Sequence, residues 1–197
     1  VVARRLGAGL DAMVVRKLGH PQQPEFAIGA IASGGITVMN EDIDLRWISE
    51  AELARIIARE RAELGRREAL YRAGRPPLRL DQRIAILVDD GLATGATMQA
   101  AILAAWRLGA AEVVAAIPVG HTASLERLAR PPYNARVIAV ASIKALQSIS
   151  QHYLTFGQVS DDEVKAAMTA AQRRDRLQEG RLPDQHRHQE KHDLTSH

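Results

Sequence analysis

An α/β fold, with a central, mainly parallel sheet flanked by helices, is predicted by three features of the 197-residue chain. From residue 84 onward, short apolar runs alternate with helix-patterned segments, as strand–helix–strand crossovers require. One run, Ile84-Ala85-Ile86-Leu87-Val88, is continuously apolar, the pattern of a strand covered on both faces. It ends in Asp89-Asp90 and a Gly/Thr turn, and the carboxyl ends of such strands form the ligand crevice of open α/β sheets.

The elements follow in order. Val1-Val2-Ala3-Arg4-Arg5-Leu6-Gly7 reads as the end of an amphipathic helix closed by Gly7 or Gly9. No charged segment leads into an apolar stretch there, so it is not a signal peptide. A helix stub is an odd opening for a domain; the expectation is a sequence that begins inside one, with a naturally short first helix as the alternative. Residues 11–16 are a strand candidate, and the turn-rich 19–24 follows. Residues 27–32 and 36–39 flank Ser33-Gly34-Gly35, which gives a hairpin. Ser49-Glu50-Ala51-Glu52 forms a capping box, and Leu53, Ile56, Ile57 and Leu64 follow at helical spacing up to Arg75-Pro76-Pro77. After the strand at 84–88, residues 96–108 are an alanine-rich helix closed by Gly109. Residues 112–119 are a strand, 124–129 a short helix and 136–140 a strand. Ser160-Asp161-Asp162-Glu163 caps a last helix to about residue 174. One domain over 1–174 and a disordered polar tail over 175–197 are therefore expected.

Composition narrows the partners. Hydrophobic residues make up 46% and charged residues 25%, enough for a packed core, and with no cysteine that core uses no disulfide. The 26 Lys+Arg against 23 Asp+Glu leave a formal charge of +3, too small to imply nucleic acid. No apolar run approaches the roughly 20 residues of a spanning helix, so no membrane partner is expected and a cytoplasmic location is.

The chemistry concentrates in residues 88–97. Gly91 and Gly95 allow a tight turn that brings N–H groups toward a ligand, Thr94 and Thr97 add hydroxyls, and a helix begins at once. Such a turn is a phosphate cradle. Two carboxylates beside it would repel the phosphate unless they face another part of the ligand, and sugar hydroxyls are the natural target. A ribose 5-phosphate satisfies both. The P-loop pattern is absent, since three residues separate Gly91 from Gly95 and no lysine follows, and so is the dinucleotide Gly-x-Gly-x-x-Gly.

Residues 88–97, an apolar strand end, two acids and a Thr-Gly-x-Thr loop, resemble the phosphoribosyl pyrophosphate (PRPP) motif of type I phosphoribosyltransferases. More widely, residues 6–168 are similar to bacterial proteins of that type with unassigned substrate. Val14-Val15-Arg16-Lys17-Leu18-Gly19, Ala27-Ile28-Gly29-Ala30-Ile31-Ala32-Ser33-Gly34-Gly35, Asn40-Glu41 and Phe156-Gly157-Gln158-Val159-Ser160-Asp161-Asp162-Glu163-Val164 carry this wider likeness. The resemblance implies the type I fold, Mg²⁺, PRPP and a nitrogenous base as substrates, and release of pyrophosphate. Asp89 and Asp90 would hold the ribose hydroxyls; Gly91, Ala93, Thr94, Gly95, Ala96 and Thr97 would form the 5-phosphate loop. Arg16 and Lys17 match the pair that reaches pyrophosphate in orotate and adenine enzymes, and residues 18–25 would be a closing flap. Cations suit that leaving group, a bidentate fork from arginine and a point charge from lysine. No dedicated metal cluster is expected, because most Mg²⁺ ligands would come from PRPP. Ala93 stands where hypoxanthine-guanine enzymes carry an Asp and adenine enzymes an Ala. The family's first strand and its Gly-containing pyrophosphate loop have no counterpart ahead of Val1, so the expected fold lacks its first strand.

Other features have plainer readings. His186, His188, His192 and His197 lie in the polar tail without acids at ligand spacing. Arg55, Arg59, Arg61, Arg66, Arg67 and Arg72 interleave with Glu52, Glu60, Glu63 and Glu68, favouring intrahelical ion pairs over a nucleic-acid face. His152, Tyr153 and Phe156 are expected in core packing, with base stacking as a secondary role, and His121 sits at the crevice edge. A homodimer is a candidate assembly. The functions to separate are a transferase, a non-catalytic ribose-phosphate sensor or regulator, and an inactive fragment.

Overall fold

The computed structural model describes residues 1–40 and 43–179. The elements are α1 (Val2–Leu6), β1 (Val15–His20), β2 (Gln23–Ala32), β3 (Ile36–Met39), α2 (Glu50–Tyr71), β4 (Ile84–Val88), α3 (Ala96–Arg107), β5 (Glu112–His121), α4 (Thr122–Leu128), β6 (Arg136–Ile143) and α5 (Asp161–Glu179). They fall into two compact units, Ala12–Gln158 and the pair of segments Val1–Asp11 and Val159–His197.

The larger unit holds two three-stranded sheets where the sequence suggested one central sheet. β1-β2-β3 is antiparallel and β4-β5-β6 is parallel. Connection length explains the division. Two or three residues join β1 to β2 and β2 to β3, which forces antiparallel neighbours, while α3 and α4 cross over between parallel ones.

The first strand begins at Val15, later than the 11–16 expected. Ser33 takes over the preceding pairing: Val14 N–H donates to Ser33 Oγ at 3.0 Å, and Ser33 N–H donates to the Val14 carbonyl at 2.9 Å. Residues 18–25, expected as a closing flap, form the tip of the β1–β2 hairpin, with register slips at Leu18/Gly19 and Gly19/His20. The capping box of α2 is formed as expected, Glu52 N–H donating to Ser49 Oγ and Ser49 N–H to Glu52. Arg66 and Arg67 grip Glu63 and lower its carboxyl to about 2, so these arginines serve the helix surface.

Helix α3 is packed on two sides. Ala100 and Ala104, both fully buried, meet Ala30, Ala32 and Ile36 of the antiparallel sheet. Met98, Ile102 and Ala105 meet Ala85, Val113, Ala115 and Ile117 of the parallel sheet. Alanines let backbones come close where a larger side chain would hold them apart, which explains the composition of this helix. The far face of the antiparallel sheet packs Val14, Leu18, Ile28 and Ile31 against Ile56 and Leu64 of α2.

The parallel sheet departs from expectation. Its α3 side is sealed, but Ile84 is 61% and Val88 56% exposed, with Ile86, Ile138 and Val140 also open. The apolar run 84–88 is thus a half-buried strand, because α3 and α4 both lie on one face of this sheet.

In the smaller unit, Gly7 closes α1 at φ 63°, and Arg174 donates to the Ala8 carbonyl at 2.8 Å. Ser160 and Glu163 cap α5 as expected. That helix runs to Glu179, past the boundary expected at 174. The rest of the expected tail, with His186, His188, His192 and His197, lies outside the described residues.

Packing on both sides makes α3 intolerant of added volume. Ala104→Leu is expected to lower the unfolding free energy by about 3 kcal/mol in urea denaturation, the upper part of the range for overpacking a filled core.

Candidate active site

The site is built where β4 gives way to α3. Leu92 anchors it: 2% exposed, it packs into the core under α3, and its backbone bridges to Gly120 of β5. Leu92 N–H donates to the Val119 carbonyl at 2.9 Å, and His121 N–H donates to the Leu92 carbonyl at 2.8 Å. This anchor divides the segment into an acid turn before it and an amide loop after it.

In the acid turn, Asp89 is half-buried and Asp90 exposed. Asp90 N–H donates to Asp89 Oδ1 at 3.0 Å. Burial raises the Asp89 carboxyl above its ordinary value; the Asp90 amide acts in the opposite sense, and the Asp90 charge adds to the rise. Among the described residues, neither acid has an ion-pair partner. Tyr153 O–H donates to the Asp90 carbonyl, and Ile149 lies over Gly91. A Cβ on Gly91 would sit 2.4 Å from Ile149 Cγ2, so a larger residue there would force that side chain to shift.

The amide loop has a complementary character. Among the described residues, the Ala93, Thr94, Gly95, Ala96 and Thr97 amides find no acceptor in the protein. The neighbouring carbonyls are taken: Leu92 by His121 N–H, Ala93 by Ser124 Oγ at 2.6 Å, Gly95 by Gln99 N–H at 2.8 Å. Gly95 adopts φ 85°, a left-handed conformation suited to glycine, and caps α3 without a side-chain bond. No acid lies in the first turn of α3, so nothing in that turn neutralises the positive end of its dipole. Thr94 and Thr97 are exposed on the loop. Free N–H groups on one bend and unpaired carboxylates on the adjacent one suit a ligand with an anionic end and a hydroxylated middle.

The structure therefore brings Asp89, Asp90, Gly91, Ala93, Thr94, Gly95, Ala96 and Thr97 into one continuous segment. Arg16 and Lys17 diverge. On β1, Arg16 shares a side with Val14 and Leu18 and reaches α2, where its Nε and Nη2 donate to Glu60 Oε2 at 3.0 and 2.8 Å. Glu60 is buried and also accepts from Arg59 Nε at 3.0 Å. Lys17 falls on the opposite side with Val15, which packs toward α3. Reaching a ligand would require Arg16 to leave Glu60. His121 Nε2 lies 3.1 Å from the Lys144 carbonyl. Phe156 is 46% exposed and pairs with Tyr153 at 5.3 Å between ring centroids, so it is not the core residue expected. Glu41 is outside the described residues.

Sequence reasoning missed Ser124 and Ile149, and it read Glu60 only as an intrahelical partner, without Arg16. Ser124, Ile149 and Glu60 are distant in sequence from Ala93, Gly91 and Arg16, and no recognisable motif links them. Among the described residues, no group of three or more acids, histidines or cysteines could cage a metal. Two carboxylates without cation partners fit an ion shared with ligand oxygens better than a protein-only site. No helix among the described residues is long and apolar enough to cross a membrane.

Acid turn and amide loop thus stand side by side at the carboxyl end of β4 in the parallel sheet. No family model matches the chain. It is 42% identical over 173 residues to two Mycobacterium tuberculosis proteins provisionally named phosphoribosyl transferases, Rv0571c of strain H37Rv and MT0597 of strain CDC 1551. The match covers 87% of this chain and 39% of each relative, so the chain spans about two-fifths of their length. It is also similar to the crystal structure of TT1426 from Thermus thermophilus, with a TM-score of 0.68 and 40% identity, covering 86% of this chain and 79% of that one. The chain belongs to the phosphoribosyltransferase family that these bacterial relatives represent.

The state of Asp89 has a pH consequence. A raised carboxyl costs stability while ionised, and the cost disappears as pH falls through its folded value toward the unfolded value near 4. Asp89→Asn keeps the oxygen that accepts from Asp90 N–H and removes the charge. Its melting temperature is expected to exceed that of the unmodified protein at pH 7, with the difference shrinking toward pH 4, read by differential scanning calorimetry.

Proposed function

We propose that the chain is the PRPP-binding portion of a phosphoribosyltransferase acting on a nitrogenous base, with Mg²⁺ as cofactor. The observation that carries this reading is the run of acceptor-free amides at 93–97 directly after two acids without ion partners. The 5-phosphate is taken by those amides with the Thr94 and Thr97 hydroxyls, and the ribose hydroxyls donate to Asp89 and Asp90. Holding the sugar at both ends leaves C1 exposed to a nucleophile. As pyrophosphate departs, positive charge develops on the ring, and the two carboxylates stabilise it electrostatically. Lys17 supplies positive charge to the departing group, and so does Arg16 once released from Glu60. Mg²⁺, when bound, neutralises charge on the pyrophosphate, with Asp89 and Asp90 as the protein oxygens available to it. The fold is of type I, and the working location is the cytoplasm.

The Arg16–Glu60 pair favours a second reading, a ribose-phosphate sensor that binds without turnover. Pyrophosphate release in the presence of PRPP, Mg²⁺ and candidate bases supports the enzyme; binding without release supports the sensor. Titration calorimetry tests what both share. Ribose 5-phosphate is expected to bind, and Asp90→Asn to weaken it by about tenfold through loss of charged hydrogen bonds, with an unchanged melting temperature. Equal affinity in the variant rejects the assignment of the acid turn to the sugar.

A further inference from the structure

We propose that Ser124 is a positioning residue of the phosphate cradle: its hydroxyl holds the Ala93 carbonyl inward and thereby turns the Thr94 amide toward the anion. The proposal rests on the reading that residues 93–97 bind phosphate.

The argument begins with peptide geometry. In a planar trans peptide, the carbonyl of one residue and the N–H of the next point to opposite sides. The direction of each amide in the loop is therefore set by whatever holds the preceding carbonyl. The 92–93 plane is held by backbone, through His121 N–H on the Leu92 carbonyl at 2.8 Å. The 95–96 plane is held by the helix, through Gln99 N–H on the Gly95 carbonyl at 2.8 Å. The 93–94 plane differs from both in depending on a side chain. Ser124 Oγ donates to the Ala93 carbonyl at 2.6 Å from a side chain that is itself 6% exposed.

Ser124 is well placed to hold this position. It lies in the first turn of α4, which follows β5 directly, and β5 carries the Val119, Gly120 and His121 backbone that anchors Leu92. One strand–helix junction thus holds both Leu92 and the Ala93 carbonyl, at the start of the loop. The hydroxyl two residues earlier, Thr122 Oγ, pairs elsewhere, with Ser142 Oγ at 2.9 Å. Without the Ser124 donor, nothing in the protein holds the Ala93 carbonyl on that side, and the 93–94 plane is free to rotate toward solvent. Rotation replaces a donor facing the phosphate with an acceptor, which repels it.

The test uses the full chain and ribose 5-phosphate as probe. Ser124→Ala and Ser124→Cys, the latter close in size but a poor donor, are each expected to weaken binding by about tenfold or more. Thr122→Ala, which removes a hydroxyl from the same helix, is expected to leave affinity within about twofold. In the ligand-free protein, the Ala93 carbonyl ¹³C and Thr94 amide ¹⁵N resonances should move in both Ser124 variants and stay in place in Thr122→Ala. Ser124→Cys keeps the comparison open if Ser124→Ala does not fold. Normal affinity in the Ser124 variants, an unmoved Ala93 carbonyl resonance, or an equal loss in Thr122→Ala each overturns the role of Ser124 while the phosphate reading stands. Absence of binding by the unmodified protein overturns the phosphate reading, and this role with it.

Discussion

Burial of α3 between two sheets is the constraint on which the rest of the larger unit depends. A helix flanked by solvent on one side can tilt or slide by repacking its polar face, but α3 has little such face. Ala100 and Ala104 press on the antiparallel sheet, while Met98, Ile102 and Ala105 press on the parallel one. Its freedom to move is therefore small, and the positive end of its dipole is held at one place, just past the acid turn. Close packing of small residues thereby fixes the start of α3, where the amides of Ala96 and Thr97 lie.

The candidate site works by separating two kinds of hydrogen-bonding partner along a few residues. Before Leu92 the chain offers acceptors, the Asp89 and Asp90 carboxylates; after it, the chain offers donors, the amides through Thr97. Leu92 enforces the separation because its own N–H and carbonyl are both tied to β5. The proposed pentose phosphate would offer hydroxyl donors to the first set and phosphate oxygens to the second. The raised carboxyl of Asp89 reflects the same design: its charge is partly removed from water and left without a cation, a state that a bound diol or divalent ion would relieve.

Arg16 illustrates how strand alternation can redirect a motif. The adjacent letters Arg16-Lys17 suggest joint action, yet neighbouring residues on a strand point to opposite faces. Glu60 supplies Arg16 with a buried partner on α2, and the guanidinium's planar fork suits that carboxylate as well as it would suit a pyrophosphate. Whichever ligand Arg16 meets must compete with a contact already made.

The sequence by itself determined what is local. The β4 strand, the capping boxes at Ser49 and Ser160, the hairpin at residues 33–35 and the acid–Gly–Thr segment were legible because each depends on neighbours a few residues away. Only the tertiary structure decided the division into two sheets, the one-sided burial of Ile84 to Val88, the engagement of Arg16 by Glu60 over 44 residues, and the hold of Ser124 on Ala93 over 31. Those contacts form between segments whose approach is set by the packing of α2, α3 and α4. A linear pattern records which groups a chain carries, but not which of them folding brings within hydrogen-bonding distance.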